Sequence, residues 1–171
     1  MIVWVIGLAG SGKSTIGRAV YKEWKAADPA TVLIDGDEIR EMFKHDRTDD
    51  AYTIEGRRKN AERISQLCAW LDRQEVNAIC CILSIFNEGQ DWNRETYSDY
   101  LEVYLEAPEG DLLERRHLYR EAQEGRMKNV VGVDIPFVPP HSPDISFASG
   151  NNGPGVEAIA QQILARVLDV K

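Results

Sequence analysis

The sequence predicts an α/β fold in which helices cover both faces of a central parallel sheet of about five strands. Two observations support this prediction. Ile2–Ile6 is an unbroken apolar run, as expected for a strand that is buried on both faces. Short strand-like runs then alternate with helical stretches along the chain, and parallel strands need such crossover connections. The resulting architecture has three layers.

Each further element follows from its own pattern. The first helix carries Ile16, Val20 and Trp24 at helical spacing, and short apolar runs between turn residues predict the remaining strands. In chain order, the elements after the first strand are helix Ser14–Ala26, strand Thr31–Ile34, helix Glu38–Phe43, helix Ile54–Gln74, strand Val76–Leu83, strand Leu101–Leu105, helix Asp111–Glu124, strand Asp144–Ala148 and helix Val156–Val170.

Length and composition narrow the class of protein. The 171 residues suit one domain, 1–171, and 43% apolar with 28% charged residues is an ordinary globular mixture. No apolar run approaches the roughly 20 residues of a membrane span, and the N-terminus lacks the basic start of a signal peptide. A net charge of −8 disfavours a broad nucleic-acid-binding face. We therefore expect no nucleic-acid or membrane partner.

Cysteine usage predicts the redox setting. The three cysteines, Cys68, Cys80 and Cys81, form no metal-binding spacing. Cys80 and Cys81 are neighbours in a predicted strand and should point to opposite faces, which disfavours a disulfide between them. A reducing, cytoplasmic location is the simplest interpretation.

A glycine-rich loop between the first strand and the first helix matches the P-loop pattern. Its glycines let successive backbone N–H groups point at phosphate oxygens, and it leads into a helix N-terminus that favours negative charge. Lys13 is expected to bridge the β- and γ-phosphates of ATP, and the Ser14 hydroxyl to coordinate Mg²⁺. The predicted nucleotide-binding residues are Gly7, Ala9, Gly10, Ser11, Gly12, Lys13, Ser14 and Thr15.

Two aspartates follow the second predicted strand. Asp35 and Asp37 stand at its carboxyl end, where open parallel sheets bind ligands. A carboxylate there can accept the proton of an attacking hydroxyl or hold a water on magnesium. Alternatively, the aspartates form an acidic turn that caps the next helix. No guanine-reading Asn-Lys-x-Asp motif is present, and small size together with a P-loop near the N-terminus favours a small-molecule kinase.

With these motifs in place, nearly the whole chain resembles the adenylyl-sulfate kinases, which phosphorylate the ribose 3′-hydroxyl of adenosine 5′-phosphosulfate (APS). The P-loop Gly-Leu-Ala-Gly-Ser-Gly-Lys-Ser-Thr and the run Asp35-Gly36-Asp37 followed by Arg40 carry the resemblance. It implies that Asp37 is the catalytic base, with Lys13 as the other catalytic residue. The substrate-binding residues that it implies are Asp35, Arg40, Tyr52, Arg57, Asn60, Ser84, Lys128, Asn129 and Val130.

The resemblance also implies particular roles. Tyr52 stands where a phenylalanine of the family stacks on the substrate base, and Arg57 stands where an arginine binds the phosphosulfate. Lys128 and Asn129 match a Lys-Asn pair of the substrate loop within a lid at roughly 111–140, in which Arg115 is a candidate for contacting ATP. Without the family spacing, each of these residues also fits an ordinary surface or packing role.

The sequence departs from the family where the substrate base is expected. Val130 replaces a second phenylalanine that completes a sandwich around adenine, and Ser84 is followed by Ile85 instead of a proline. A related group of kinases acts on cytidine diphosphoramidate at the same ribose hydroxyl, so the substrate base stays open. We expect an ATP- and Mg²⁺-dependent kinase for an anionic nucleotide, with APS first and cytidine diphosphoramidate as the alternative.

Two other classes stay open. A non-catalytic nucleotide-binding protein would retain the P-loop but lose an acceptor carboxylate, and Asp37 argues against it. A kinase for a non-nucleotide alcohol such as a sugar acid is the third class, and the presence of Tyr52 and of paired arginines argues against it. The family resemblance further implies a possible homodimer.

Overall fold

Strands and helices alternate along the chain from its first residues. The structure, a computed structural model, describes residues 1–107, 117–150 and 153–168. The strands are β1 (Ile2–Gly7), β2 (Thr31–Asp35), β3 (Asn77–Ile82), β4 (Tyr100–Glu106) and β5 (Ile145–Ala148). The helices are α1 (Lys13–Ala27), α2 (Gly36–Met42), α3 (Ile54–Asp72), α4 (Asn87–Thr96), α5 (His117–Gln123) and α6 (Val156–Leu168), with one 3₁₀ turn at His45–Arg47.

All five strands run parallel in the order β2-β3-β1-β4-β5. β1 lies in the centre, and Ile2–Gly7 is buried throughout. Two helix-covered cores flank the sheet, so the predicted three-layer α/β fold is confirmed. One core packs α1 and α6 on a face that includes Val3, Val5 and Cys81, while the other packs α3 on a face that includes Trp4 and Cys80.

The cysteines lie as the strand period predicts. Cys80 faces one core and its neighbour Cys81 faces the other. Both are buried free thiols, as is Cys68. Burial raises the pKa of the Cys81 thiol to about 12, and Asp35 adds to the shift, so this sulfur stays protonated near neutral pH.

One helix was not predicted. α4 has the sequence Asn-Glu-Gly-Gln-Asp-Trp-Asn-Arg-Glu-Thr, and its buried residues are the polar Gln90 and Asn93. Apolar periodicity cannot reveal a helix that buries amide side chains. Of the predicted helix Asp111–Glu124, residues 108–116 lie outside the described part, and α5 covers His117–Gln123.

The other predicted boundaries that fall on described residues agree to within one or two residues, and the predicted end of the last helix, Val170, lies outside them. α2 begins at Gly36, two residues before its predicted start, because the Asp35 side chain accepts a hydrogen bond from the Asp37 amide and caps the helix. Among the described residues, no helix is both long enough and apolar enough to span a membrane.

Candidate active site

A cleft of about 620 Å³ opens at the carboxyl ends of β1, β2 and β3. The P-loop forms one wall, and α2, the start of α3 and the segment around Lys128 form the other. Ligands bind at this edge of parallel sheets because strand ends and helix N-termini converge there. The predicted residues that line the cleft are Ala9, Gly10, Gly12, Lys13, Ser14, Thr15, Asp35, Asp37, Arg40, Tyr52, Arg57, Asn60, Lys128, Asn129 and Val130.

The P-loop is shaped by its glycines. Gly10 and Gly12 have φ values of 88° and 93°, in the left-handed region that side chains disfavour. A Cβ on Gly7 would lie 2.7 Å from the Leu105 carbonyl oxygen, so only glycine fits there. α1 begins directly after the loop at Lys13, and its first backbone N–H groups have no acceptor within the helix. This geometry suits an anion.

Two polar side chains connect the P-loop to β2. The Ser14 hydroxyl donates to Asp35 Oδ2 at 2.6 Å, and Asp35 Oδ1 accepts from the Asp37 amide at 3.0 Å. Lys13 Nζ donates to the Leu8 carbonyl oxygen at 2.8 Å. The resemblance implies Asp35 as a substrate-binding residue; in the structure Asp35 lines the cleft, and its carboxylate contacts Ser14 beside the P-loop.

Asp37 and Arg40 form an ion pair on α2. Arg40 Nη1 lies 2.6 Å from Asp37 Oδ1. The Arg40 side chain is 7% exposed, whereas that of Asp37 is 86% exposed and open to a ligand. The pair therefore fixes one carboxylate oxygen of Asp37 on a buried guanidinium and leaves the other free to accept a hydrogen bond.

Tyr52 is a half-exposed ring beside two guanidinium groups. Arg40 lies 4.8 Å and Arg57 5.7 Å from its ring centre, close enough for cation–π attraction. Arg57 donates through Nε to the Tyr52 carbonyl oxygen and through Nη2 to the Asn129 carbonyl oxygen, each at 2.9 Å. Burial, followed by repulsion from Arg40, lowers the pKa of Arg57. An anion in the cleft would relieve this repulsion.

The Lys128 segment closes the far side of the cleft. Val130 is 4% exposed and packs with Tyr119, Leu8 and Ala9. The Tyr119 hydroxyl donates to the Ala9 carbonyl oxygen at 3.0 Å, so α5 contacts the P-loop directly. Sequence reasoning missed this role for Tyr119, because nothing in the local pattern of α5 indicates a partner 110 residues away.

Asn60 lines the cleft from a buried position, whereas Gly7, Ser11 and Ser84 do not line it and Arg115 lies outside the described residues. Asn60 is 1% exposed, and its amide donates to the Gly36 carbonyl oxygen at 3.0 Å, which fixes α3 to the start of α2. Ser84 lines a separate cavity of about 240 Å³ between α3 and α4, and its hydroxyl accepts from the Phe86 amide.

The described residues that could bind a metal ion do not form a site separate from the cleft. Across residues 1–107, 117–150 and 153–168, no group of three or more His, Cys, Asp or Glu side chains is placed to hold a metal ion. The three histidines lie apart, each within 4 Å of one carboxylate. In the cleft, the Ser14 hydroxyl and the Asp35 carboxylate lie together beside the P-loop and offer hard oxygen ligands for a magnesium ion.

Comparison with known proteins identifies the family. The model of the family described as adenylylsulphate kinase matches residues 1–148. The chain belongs to the adenylylsulphate kinase family. It is therefore an ATP-dependent kinase of the P-loop fold, as the sequence predicts. Among curated relatives, the cytidine diphosphoramidate kinase of Campylobacter jejuni is 38% identical over 143 residues, which is 82% of each chain.

Other relatives in this family carry the adenylyl-sulfate kinase name. That of Halothermothrix orenii is 31% identical over 147 residues, which cover 85% of this chain and 78% of the relative. Among solved structures, the APS kinase of Mycobacterium tuberculosis in complex with AMPPNP and APS superposes with a TM-score of 0.83 at 23% identity, covering 98% of this chain and 96% of that one. The last match bears on the fold alone.

Proposed function

We propose that this kinase transfers the γ-phosphoryl group of ATP to the ribose 3′-hydroxyl of an anionic nucleotide. One observation carries the proposal. An exposed carboxylate, Asp37, lies in the same cleft as the P-loop, with two arginines and an aromatic ring beside it. A phosphate grip opposite an aromatic and cationic pocket suits a donor nucleotide on one side and an acceptor nucleotide on the other.

The phosphate side holds the donor. Backbone N–H groups of the P-loop and the α1 N-terminus bind the β- and γ-phosphates, and Lys13 exchanges its bond to the Leu8 carbonyl for the phosphate oxygens. The Ser14 hydroxyl and the Asp35 carboxylate fit Mg²⁺, directly or through its waters, because magnesium prefers oxygen ligands. When bound, the ion neutralises charge on the phosphates.

The acceptor side orients the hydroxyl. The free oxygen of Asp37 accepts the hydrogen bond of the 3′-hydroxyl, while Arg40 fixes the other oxygen. Phosphoryl transfer of this kind depends mainly on positioning and charge neutralisation, so Asp37 aligns the attacking oxygen and takes its proton. The Arg57 guanidinium and the Lys128 ammonium supply positive charge for the anionic tail.

Tyr52 and Val130 indicate which nucleobase the acceptor carries. Tyr52 offers one aromatic face, but Val130 is a small, buried aliphatic residue where a second ring would be needed to enclose a purine. Without the second ring a purine is clamped less tightly, and the altered pocket can accept a smaller base. Together with the 38% identity to a cytidine diphosphoramidate kinase, this favours cytidine diphosphoramidate as the acceptor.

APS is the second candidate acceptor. Several relatives at about 30% identity carry the adenylyl-sulfate kinase name, and the Tyr52 ring with its two arginines also fits a purine nucleotide with an anionic tail. Under this alternative, the protein takes part in sulfate assimilation. A single kinase domain over residues 1–171, a cytoplasmic location and a homodimer remain predictions under either acceptor.

A coupled ADP-release assay tests the proposal. The purified protein receives MgATP with cytidine diphosphoramidate, APS, CMP, AMP or gluconate as the acceptor. We expect kcat/KM to be highest for cytidine diphosphoramidate. NMR of the product should show the new phosphate at the ribose 3′ position. Turnover of APS alone would reverse the order of the two candidates. Turnover of gluconate alone, or of no acceptor, would refute the proposal.

Val130→Phe sharpens the choice of base. The resemblance puts position 130 at the second ring of an adenine sandwich, so a phenylalanine there should enlarge the stacking surface. The ratio of kcat/KM for APS over cytidine diphosphoramidate should then rise about tenfold, within the range of stacking energies. Val130→Leu is the matched control, because it adds volume without an aromatic face. An equal shift in both variants would show that volume, not stacking, sets the preference.

A further inference from the structure

The segment from Met127 to Ile135 forms a tight turn that carries Lys128 into the cleft. The amides of Val133, Asp134 and Ile135 all donate to the Val130 carbonyl oxygen at 3.1–3.2 Å, and Gly132 donates to the Ile135 carbonyl oxygen at 2.8 Å. These bonds leave the amides of Asn129 and Val130 without a backbone partner inside the turn.

The Asp134 carboxylate accepts hydrogen bonds from both of these amides. Its Oδ2 accepts from the Asn129 amide at 2.6 Å, and its Oδ1 accepts from the Val130 amide at 2.5 Å. Asp134 is itself exposed and does not line the cleft, since both of its oxygens are directed at the backbone. Its carboxylate therefore acts mainly on the turn, and its charge also attracts Arg57.

Asn129 is the residue whose conformation matters most. Its φ is 62°, in the left-handed region, which asparagine tolerates better than most residues but which still carries an energetic penalty. Asp134 holds its amide, and Arg57 Nη2 holds its carbonyl oxygen at 2.9 Å. The peptide groups on both sides of Asn129 are thus fixed, one by the turn and one by α3.

Lys128 precedes this fixed residue and lines the cleft beside Arg57. A lysine has four rotatable side-chain bonds, so its ammonium group can serve as a defined contact only if its backbone is held. The left-handed turn at Asn129 sets the direction in which the chain leaves Lys128, and Asp134 stabilises that turn.

We propose that Asp134 is a positioning residue that holds Lys128 at the anionic tail of the acceptor nucleotide. This inference rests on the proposed function, because it assumes that Lys128 meets the acceptor. It assigns to Asp134 an effect on acceptor binding that is separate from the binding of ATP, since Asp134 contacts neither the P-loop nor α2 among the described hydrogen bonds.

Asp134→Asn tests the inference. The amide side chain keeps the shape but can accept from only one of the two N–H groups, and its own NH₂ group opposes the other. We expect the acceptor KM to rise at least tenfold, with the KM for ATP and kcat within about twofold of wild type. Asp134→Ala, which removes both acceptor oxygens, should raise the acceptor KM at least as much and provides a second variant if the first folds poorly.

Asp144→Asn is the matched control. Asp144 also accepts from a backbone amide, that of Glu102 at 2.7 Å, but it lies just before β5 and pairs with Arg94 outside the cleft. Its substitution should lower Tm without raising the acceptor KM. If Asp144→Asn raised the acceptor KM as much as Asp134→Asn, general loosening of the fold would explain both results and the inference would be wrong.

A double-mutant cycle with Lys128→Ala tests whether Asp134 affects acceptor binding through Lys128. If Asp134 acts through Lys128, then Asp134→Asn should change the acceptor KM by less than twofold in the Lys128→Ala background. An undiminished tenfold effect in that background would overturn the inference. This outcome leaves the proposed function intact, because wild-type turnover is measured in the same experiment.

Amide hydrogen exchange separates the inference from the proposed function. In Asp134→Asn, the amides of Asn129 and Val130 should exchange at least tenfold faster than in wild type, whatever the acceptor proves to be. Unchanged exchange at both amides would refute the positioning role even if the protein phosphorylates nucleotides. Failure of every nucleotide acceptor would refute the proposed function, and the claim about Lys128 with it.

Discussion

The two walls of the cleft are built in different ways. The phosphate wall is one continuous stretch from Gly7 to Thr15, and its geometry comes from backbone, with left-handed glycines and a helix N-terminus. The acceptor wall is assembled from side chains on α2, on α3 and on the turn after α5. A local motif thus determines where phosphate binds, whereas long-range contacts determine what receives it.

The two walls also differ in their charge balance. Lys13 bonds a carbonyl oxygen of its own loop, and the first N–H groups of α1 have no acceptor within the helix, so the phosphate wall offers mainly backbone donors to an anion. On the acceptor wall, Arg40 and Arg57 repel one another, and burial together with this repulsion lowers the pKa of Arg57. The acceptor wall is therefore tuned to an anion, and we expect substitutions there to act on the acceptor alone.

The largest expected effect comes from Asp37→Asn. If Asp37 orients and deprotonates the hydroxyl, kcat should fall by about 10²–10⁴-fold, the usual range for a positioned acid–base group. ATP affinity, measured by calorimetry with a non-hydrolysable analogue, should stay within about threefold. Glu38→Gln is the matched control, since this exposed carboxylate is the next residue on α2 and does not line the cleft. Equal losses in both variants would remove Asp37 from the reaction.

Gly7→Ala tests whether the phosphate wall depends on its backbone. The added Cβ would lie 2.5 Å from Ser11 Oγ and 2.7 Å from the Leu105 carbonyl oxygen, and the carbonyl cannot move without disturbing β4. We expect a loss of about 1–3 kcal/mol in unfolding free energy, together with weaker ATP binding. Gly89→Ala is the control, because a Cβ there meets nothing within 4 Å and α4 should gain helix propensity. A neutral Gly7→Ala would contradict the close packing of the loop.

The contrast between the walls explains what the sequence could and could not reveal. The sheet and its flanking helices can be predicted from apolar runs and helical spacing, and the P-loop can be predicted from its glycine-rich motif, because each of these patterns is local in the sequence. The family resemblance implies site roles for four residues that the structure places in one cleft, namely Asp37, Arg40, Tyr52 and Arg57. The resemblance could not show that the Asp35 carboxylate contacts Ser14. That contact depends on the angle between β2 and α1, which no local pattern encodes.

Other features were hidden for different physical reasons. α4 was missed because its buried face consists of amide side chains. Ser84 was assigned to the acceptor by analogy, yet it lines the cavity beneath that helix. The role of Asp134 depends on a turn whose backbone bonds are specific to its three-dimensional shape.

Tyr52→Ala tests the acceptor wall without a change of charge. Loss of a stacked ring is worth roughly 1–3 kcal/mol per base, so the acceptor KM should rise by about 5- to 150-fold. The KM for ATP should not change, because the ring lies on α3's side of the cleft, away from the P-loop. Tyr104→Ala is the control, since this partly buried tyrosine on β4 stacks on Phe137 and lies outside the cleft lining. A rise in both KM values for Tyr52→Ala would contradict the independence of the two walls.

Glu102→Gln should have the smallest effect and serves as a baseline for both walls. Glu102 is a 2% exposed carboxylate on β4 that accepts from the Tyr100 hydroxyl at 2.7 Å, and its burial raises its pKa. The folded state therefore binds its proton more tightly than the unfolded chain does. Stability from this group is greatest below the ordinary glutamate pKa of about 4.3 and is lost as the pH rises through the folded value.

As the pH rises through the folded pKa, the buried carboxylate becomes charged, which opposes folding, whereas glutamine keeps the acceptor for Tyr100 without the charge. We expect Glu102→Gln to raise Tm at pH 7, by about 2–4 °C for each kcal/mol gained, and this advantage should shrink below about pH 4.3. Both KM values should be unchanged, because Glu102 does not line the cleft. A lower Tm at pH 7 would show that attraction to Arg94 outweighs burial, and a change in either KM would show that the scaffold and the cleft are coupled.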